Sequence, residues 1–414
     1  MAKRSDVPVF GPLHGLKIMH QSVSIAGPFC AELFAELGAD VIWIESPYAA
    51  DIGRLTTTNM GQSERRNVRS LCMDIFKGEG KETFLRLIKD VDIFFEGSRP
   101  GQYQKHGITD ELLWEINPKL IIGHISGYGQ YGDPDYVGRA SYDPVAQAFG
   151  GFMYMNSHEN EKPRSVNGYI GDYYTSLYMA FSLMSAYFNM LRTGKGESID
   201  IAQFETFVRM TGVYAMDTFN GDRPFVLWPD NNADGCCWNA YKTKDDQWFY
   251  LLVQGALMKK VTALLGIPFG VDGYPAAGVW KISTPYGREL EDAITAKIAS
   301  MTLDEAQKWC DDNGIPGSRI VNFYDMMEHP HYKARGTLIS WPRTDNGRMV
   351  TGSNIVPRFK NTECKVWRGC PTCGMDNEDI LADIGYTPEQ IQQLYNDDIL
   401  RKGDMSANKY DMKK

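Results

Sequence analysis

The chain has few cysteines, no excess of positive charge and no greasy run of membrane length. Eight cysteines among 414 residues are too sparse for a disulfide scaffold. The opening Met1-Ala-Lys-Arg-Ser-Asp6 has two basic residues but no apolar stretch behind them. No secretory leader is expected, and the expected compartment is the reducing cytoplasm. A net charge of -9 argues against a nucleic-acid partner bound by phosphate neutralisation. One segment, Tyr173 to Leu191, carries no formal charge, yet it includes Thr175, Ser176, Ser182, Ser185, Asn189 and several tyrosines. It reads as a buried core helix, and no membrane association is expected. The first strand-to-helix turn, Ser22 to Pro28, holds one glycine, which excludes the glycine-rich dinucleotide fingerprint there. The phosphate-loop lysine motif, the serine nucleophile elbow and the His-Glu-x-x-His zinc motif are absent as well.

What is present alternates between strand and helix. Leu16–His20 and Val41–Glu45 read as buried strands. Between them lies a helix opened by Ala26-Gly-Pro28 and stopped by Gly38. The pattern repeats with a helix around Gly80–Asp90, a strand Asp92–Glu96, a helix Thr109–Ile116 and a strand Leu120–Ile125. Strands joined by crossover helices make an α/β layer fold with a parallel sheet. At 46.7 kDa the chain exceeds one ordinary core, so more than one domain is expected. Residues 222–230 are turn-rich and mark a domain crossing. Beyond them, Asn239–Thr243 and Trp248–Val253 form a hairpin, and Thr302-Leu-Asp-Glu305 is a capping box. A second hairpin turns at Asn346-Gly347, and two short helices, Asn377–Asp383 and Thr387–Leu394, precede a polar tail.

Chemistry-bearing residues are few. His329 and His331 are the one close histidine pair, and a reading as packing or surface histidines outweighs a metal site. Cys364, Cys370 and Cys373 offer three thiols with no histidine nearby, short of a structural zinc set. No metal is expected. Asp172, in Gly171-Asp172 ahead of the uncharged segment, has two readings of equal weight. It caps the helix, or it is a fixed, ionised nucleophile, with Gly171 leaving room for a substrate. Basic residues that could meet an anionic ligand are the Arg65, Arg66, Arg69 cluster and Arg99, with Lys105 and His106 following. Arg99 sits after a strand end, where open α/β sheets bind ligands. A solvated surface loop is the plain alternative.

Taken together, short motifs in a fixed order resemble the class III CoA-transferases. They are Ile25-Ala-Gly-Pro-Phe29, Gly38-Ala-Asp-Val-Ile42, Arg99-Pro-Gly101, Tyr142-Asp-Pro-Val-Ala-Gln147, Gly171-Asp172 and Thr193-Gly-Lys-Gly-Glu197 leading into Ile199-Asp-Ile201. The resemblance runs from about residue 11 to about residue 395. Gly107-Ile-Thr-Asp-Glu111, Asn117-Pro-Lys-Leu120, Gly129-Gln-Tyr-Gly132 and Trp367-Arg-Gly369 are most similar to its carnitine-directed branch.

The resemblance implies a Rossmann-like large domain built from both chain ends, residues 1–220 and 335–414. It implies a small α+β domain inserted at 225–330, and an interlocked homodimer. It implies transfer of CoA from a betainyl-CoA thioester to a carboxylic acid such as carnitine, with CoA thioester as substrate and no permanently bound cofactor. Asp172 is the implied nucleophile, through a mixed anhydride and an aspartyl-CoA thioester. Implied CoA contacts are Ser24, Ile25 and Ala26, Met73 and Phe76, and Arg99 after the third strand. His106 stands beside Lys105 where relatives carry arginine. Gly235, Cys236 and Gly255 are candidates for an oxyanion site. A racemase of the same fold needs a histidine before the aspartate in the segment that here reads Ser141-Tyr142-Asp143, so that activity is not expected. A transferase for 2-hydroxy acids and a non-catalytic CoA-binding subunit are the alternatives.

Overall fold

A computed structural model describes residues 7–55, 59–222, 225–227 and 235–403. The leader reading, the end of the 222–230 crossing and the polar tail fall wholly or partly outside these residues. The chain divides into two compact units. One comprises Met1–Phe152, Ser165–Gly212 and Gly336–Lys414. The other comprises Met153–Arg164 and Val213–Arg335.

Six parallel strands organise the first unit: β1 Lys17–Gln21, β2 Asp40–Glu45, β3 Arg69–Cys72, β4 Ile93–Glu96, β5 Ile121–Ser126 and β6 Glu197–Ala202. Their order is β3-β2-β1-β4-β5-β6, every neighbouring pair parallel. This is the doubly wound order, with the reversal between β1 and β4. β2, β4 and β5 are mostly apolar because both faces are covered, whereas the equally buried β3 carries Arg69 and Ser70. Alternation within the strands sorts their side chains into two cores. Ile18, Val41, Trp43, Ile93 and Phe95 pack with helices Ala26–Glu36 and Ile170–Thr193. Met19, Ile42, Ile44, Phe94 and Ile122 pack with helices Gly78–Ile88 and Asp110–Ile116, and with the C-terminal helices Asn377–Asp383 and Pro388–Asn396.

β3 was not anticipated, because its residues read as a basic cluster. The structure corrects that reading: Arg65, Arg66 and Arg69 are buried. Arg65 pairs with Asp51 at 2.7 Å, Arg66 with Glu32 at 3.2 Å, and Arg69 with Asp40 at 2.8 Å and Asp383 at 3.0 Å. Buried arginine is tolerated only with such partners. Arg99 accordingly follows the fourth strand, not the third. The returning chain is tied to β3 by the same means. Arg368 donates to Asp376 at 3.0 Å through Nη1 and 2.7 Å through Nη2. Asp376 also accepts the Ser70 N–H at 2.8 Å. Before this return, β10 Leu338–Pro342 and β11 Met349–Ser353 pair antiparallel around Gly347, whose φ of 72° suits glycine.

The Ile170–Thr193 helix differs from the buried core helix expected. One face, including Asp172, Thr175, Ser176, Met179 and Leu183, is buried. The other leaves Leu177, Phe181, Phe188 and Leu191 between 52% and 73% exposed. No helix among the described residues is long and apolar enough to cross a membrane.

In the second unit β7 Trp238–Lys242, β8 Trp248–Leu252 and β9 Gly317–Arg319 form an antiparallel sheet. Tyr241, Phe249, Leu251, Trp280, Leu290 and Ile294 share its core. The capping box at Thr302 and Glu305 is formed.

Candidate active site

The C-terminal ends of β1, β2 and β4 open onto a cleft of about 200 Å³, lined by Ser22, Val23, Trp43, Glu45, Asp51 and Ser98 among others. It lies at the strand-order reversal, where sheets of this type bind ligands. Gly27 permits the tight turn leaving β1, since a Cβ there would lie 2.1 Å from Ser22 Oγ. The loop is joined to the Ile170–Thr193 helix. Ser176 Oγ donates to the Ala26 carbonyl at 2.5 Å, and the Phe29 and Tyr173 rings meet edge-on at 4.7 Å.

Asp172 does not cap its helix. Tyr169 occupies the N-cap position, in a left-handed conformation (φ 54°, ψ 39°), with no side-chain cap of its own. Asp172 is the third residue of the helix. The capping carboxylate comes from another helix, Asp143–Phe149. Asp143 Oδ1 accepts the Gly171 N–H at 2.6 Å, and the Asp172 N–H also faces it. Asp143 Oδ2 accepts from Gln147 Nε2 at 2.8 Å. Gly171 is needed for this fit. A Cβ there would stand 2.3 Å from the Phe207 ring and 2.6 Å from Asp143 Oδ1.

Asp172 is 9% exposed. Gln203, the residue that follows β6, donates Nε2–H to Asp172 Oδ1 at 2.6 Å. Oδ2 accepts no hydrogen bond from any described residue. Burial pushes Asp172 up to about 7. The Gln203 bond opposes this, and the charges of Asp143 and Glu64 add to it. Burial also raises Asp143 and Glu64. Glu64 accepts from Tyr173 Oη at 2.8 Å through Oε1, while its buried Oε2 has no hydrogen-bond partner among the described residues. Asp172 is thus a carboxylate with one oxygen held, one unbonded, and an anionic form raised in energy by its neighbours. A buried titratable group perturbed in this way marks a candidate functional site.

The residues implied as CoA contacts divide into two sets. Phe76 and His106 come together, ring centroids 4.5 Å apart, with Lys105 and His106 exposed and Arg99 exposed on the loop after β4. Ser24 adopts a φ of 65°, and its N–H donates to Asp51 at 2.9 Å. The other set is buried. Ile25 is 1% exposed, Met73 is fully enclosed in the core, and Ala26 is 8% exposed. Gly235, Cys236 and Gly255 belong to the second unit, where Cys236 is fully buried and Gly255 has a φ of 59°. His329 and His331 lie in the second unit. Buried His20 is lowered to about 3 by burial and by Arg65. His124 is pushed up to about 10, its bonds to Asp110 and Glu96 overriding burial.

A family profile described as "CoA-transferase family III" matches residues 13–377. The chain belongs to this family. This transferase is 36% identical over 401 residues to the L-carnitine CoA-transferase of Proteus mirabilis (strain HI4320), which covers 95% of this chain and 98% of that protein. It shares the same identity and coverage with the L-carnitine CoA-transferase of Proteus sp. (strain LE138). Among solved structures, a CAIB/BAIF family protein from Brucella suis aligns with a TM-score of 0.76 at 26% identity, covering 91% of this chain and 100% of that one. A Mycobacterium tuberculosis protein aligns with a TM-score of 0.77 at 22% identity over the same shares, a likeness of fold alone. The transferase is therefore an enzyme acting on CoA thioesters and carboxylic acids.

Sequence reasoning missed three site residues. Asp143 lay in a quoted motif but was weighed only for the histidine that precedes it in racemases. Gln203 had a signal, since it follows a parallel strand directly. Glu64 had none, being in a segment without periodicity.

Replacement of Gly171 by Ala in the transferase is expected to lower stability by about 1–3 kcal/mol through overpacking against Phe207 and to displace Asp172. Urea midpoints and kcat measured on the same preparation check this. Unchanged values in both would refute the fit described.

Proposed function

We propose that this transferase moves CoA between a trimethylammonio-acyl thioester, such as butyrobetainyl- or crotonobetainyl-CoA, and L-carnitine, with Asp172 as nucleophile. The observation that carries the mechanism is the buried Asp172 carboxylate with one oxygen bonded to Gln203 and the other unbonded. The carnitine assignment is supported by the 36% identity to two L-carnitine CoA-transferases across nearly the whole chain.

The proposed chemistry is the route that the family resemblance implies. Asp172 Oδ2 attacks the thioester carbonyl, the C–S bond breaks, and an acyl-aspartyl anhydride forms as CoA thiolate leaves. The thiolate then attacks Cγ of Asp172. The donor acid departs and an aspartyl-CoA thioester remains. The acceptor carboxylate attacks Cγ, displaces the thiolate and forms a second anhydride. Thiolate attack on the acceptor carbonyl completes the exchange and regenerates Asp172. Each step keeps the acyl group activated, so the thioester energy is conserved provided water is excluded. The helix N-terminus at Asp172 supplies a positive field to the developing oxyanions. The cleft beside β1 and β4, with Arg99, Lys105, His106 and Phe76 on neighbouring loops, is read as the nucleotide end of the CoA site. Exposed cations suit phosphates, and a half-buried ring suits a base.

The exposed row Leu177, Phe181, Phe188 and Leu191 supports a second copy of the chain as partner, because apolar rows of this size are normally covered. We read the protein as the interlocked homodimer of its family.

Four outcomes test this reading. Butyrobetainyl-CoA with L-carnitine should yield carnitinyl-CoA by mass spectrometry, while cinnamoyl-CoA with phenyllactate should not. Product only in the second reaction would move the acceptor to 2-hydroxy acids, and activity in neither would reject both substrate assignments. Asp172→Ala should bind CoA and transfer nothing, and a retained rate would sink the nucleophile. Because only the ionised carboxylate attacks, kcat/KM should fall about tenfold per pH unit below about 7. A limb near pH 4 would contradict the raised carboxyl. Light scattering should give twice the 46.7 kDa chain mass, and a monomer would remove the dimer.

A further inference from the structure

Gln203 touches the one atom of Asp172 that changes charge twice in each cycle. Its side chain is buried, 6% exposed, and fixed at the junction of β6 and the helix Gln203–Phe219. Thr206 Oγ1 donates to its backbone carbonyl at 2.7 Å and holds that first turn. From there Nε2 reaches Asp172 Oδ1 at 2.6 Å. The bond leaves Oδ2 as the unbonded oxygen.

We propose that Gln203 is the oxyanion donor for the two steps in which Cγ of Asp172 is itself attacked, and that it keeps the two carboxylate oxygens from exchanging places. The inference rests on the anhydride route proposed above. In that route Oδ2 forms the anhydride bridge. When CoA thiolate attacks Cγ, the carbonyl electrons move onto Oδ1. Cγ–Oδ2 then breaks, and Oδ2 leaves as part of the donor carboxylate. When the acceptor carboxylate attacks the aspartyl-CoA thioester, Oδ1 carries the negative charge again. The Cγ–S bond breaks and CoA thiolate leaves. In the last step thiolate attacks the acceptor carbonyl, and the bond from that carbon to the bridging oxygen breaks. The bridging oxygen, which came from the acceptor, stays on Asp172. Oδ1 is therefore the oxyanion of both middle steps and is never replaced, whereas the oxygen at the Oδ2 position is replaced once per turnover. A donor placed on Oδ1 in the resting enzyme needs no reorganisation when that charge develops. The donors that serve the substrate carbonyls in the first and last steps act on a different oxygen, so the two sets are separable.

The test uses the full-length transferase with excess acceptor acid carrying oxygen-18 at both carboxylate positions. After many turnovers the peptide containing Asp172 is weighed. The wild-type protein should gain one label, about 2 Da, and stop there. Gln203→Met removes the donor at similar volume. It should lower kcat roughly 10²–10³-fold, the usual loss for one oxyanion donor, with KM for the acyl-CoA little changed. Its acid limb should move to higher pH, since the Gln203 bond is what lowers Asp172. Its peptide should gain about 4 Da, as the released carboxylate turns between cycles. A second label in the wild-type protein at the turnover rate would overturn the proposal alone, as would a Met variant with wild-type kcat and a single label. No label in the wild-type protein would overturn the anhydride route and the proposal with it. If the variant does not fold, the wild-type count still decides.

Discussion

The hydrogen bond from the Gly171 N–H to Asp143 Oδ1 fixes the start of the Ile170–Thr193 helix, and the site depends on that start. Helices leave their first N–H groups unsatisfied, and a side chain at the N-cap ordinarily takes them up. Here the N-cap residue is Tyr169 in a left-handed conformation, with no oxygen to offer at that position. The missing acceptor comes from a separate helix. The consequence is a coupling between three segments. Asp143 cannot reach Gly171 unless the Asp143–Phe149 helix is seated, and Phe207 cannot approach unless residue 171 lacks a Cβ. Asp172 is aimed by packing as much as by its own backbone.

The same seating gathers like charge. Asp143, Glu64 and Asp172 are all buried, and burial raises each of them. Raised native carboxyls bind protons that the unfolded chain has already released, so they oppose folding as pH climbs through neutrality. A site of this kind detracts from stability in exchange for reactivity. Elsewhere the fold holds its buried charges in ion pairs. Arg66 lies among Glu32 and Glu36, Arg69 among Asp40 and Asp383, and Arg368 on Asp376. Losing one partner of such a pair strands a buried charge. The Arg69–Asp383 pair also joins segments distant in the chain, and Asp376, held by Arg368 within the C-terminal return, accepts the Ser70 N–H of β3. The acidic balance of the chain hides this, since its most concentrated basic segment is internal.

Much of the architecture was legible. Apolar runs of four to six residues separated by helical periodicity placed β1, β2, β4 and β5 to within about a residue, because strands covered on both faces favour apolar side chains on both. Caps and turns were equally plain at Thr302 and at Asn346-Gly347. β3 was lost because Arg69 and Ser70 break the apolar run, and a buried arginine is indistinguishable from a surface one until its partners are placed. The Tyr173–Leu191 segment was assigned wholly to the core because it lacks charge. Lack of charge does not distinguish a face packed against the sheet from one left open for a partner.

By itself the sequence determined the α/β class, the strand alternation, the order of motifs that marks the family, and Asp172 as a residue of interest. These are properties of residues near one another in the chain, where propensity, periodicity and capping act. Only the tertiary structure decided what Asp172 is. It placed the residue inside its helix rather than at the cap, supplied Asp143 and Glu64 as neighbouring charges, and set Gln203 on one oxygen and nothing on the other. Those facts join positions 29 to 108 residues apart. No local preference encodes them, because the energy that sets them is the burial of a carboxylate among groups that meet only after the sheet has formed.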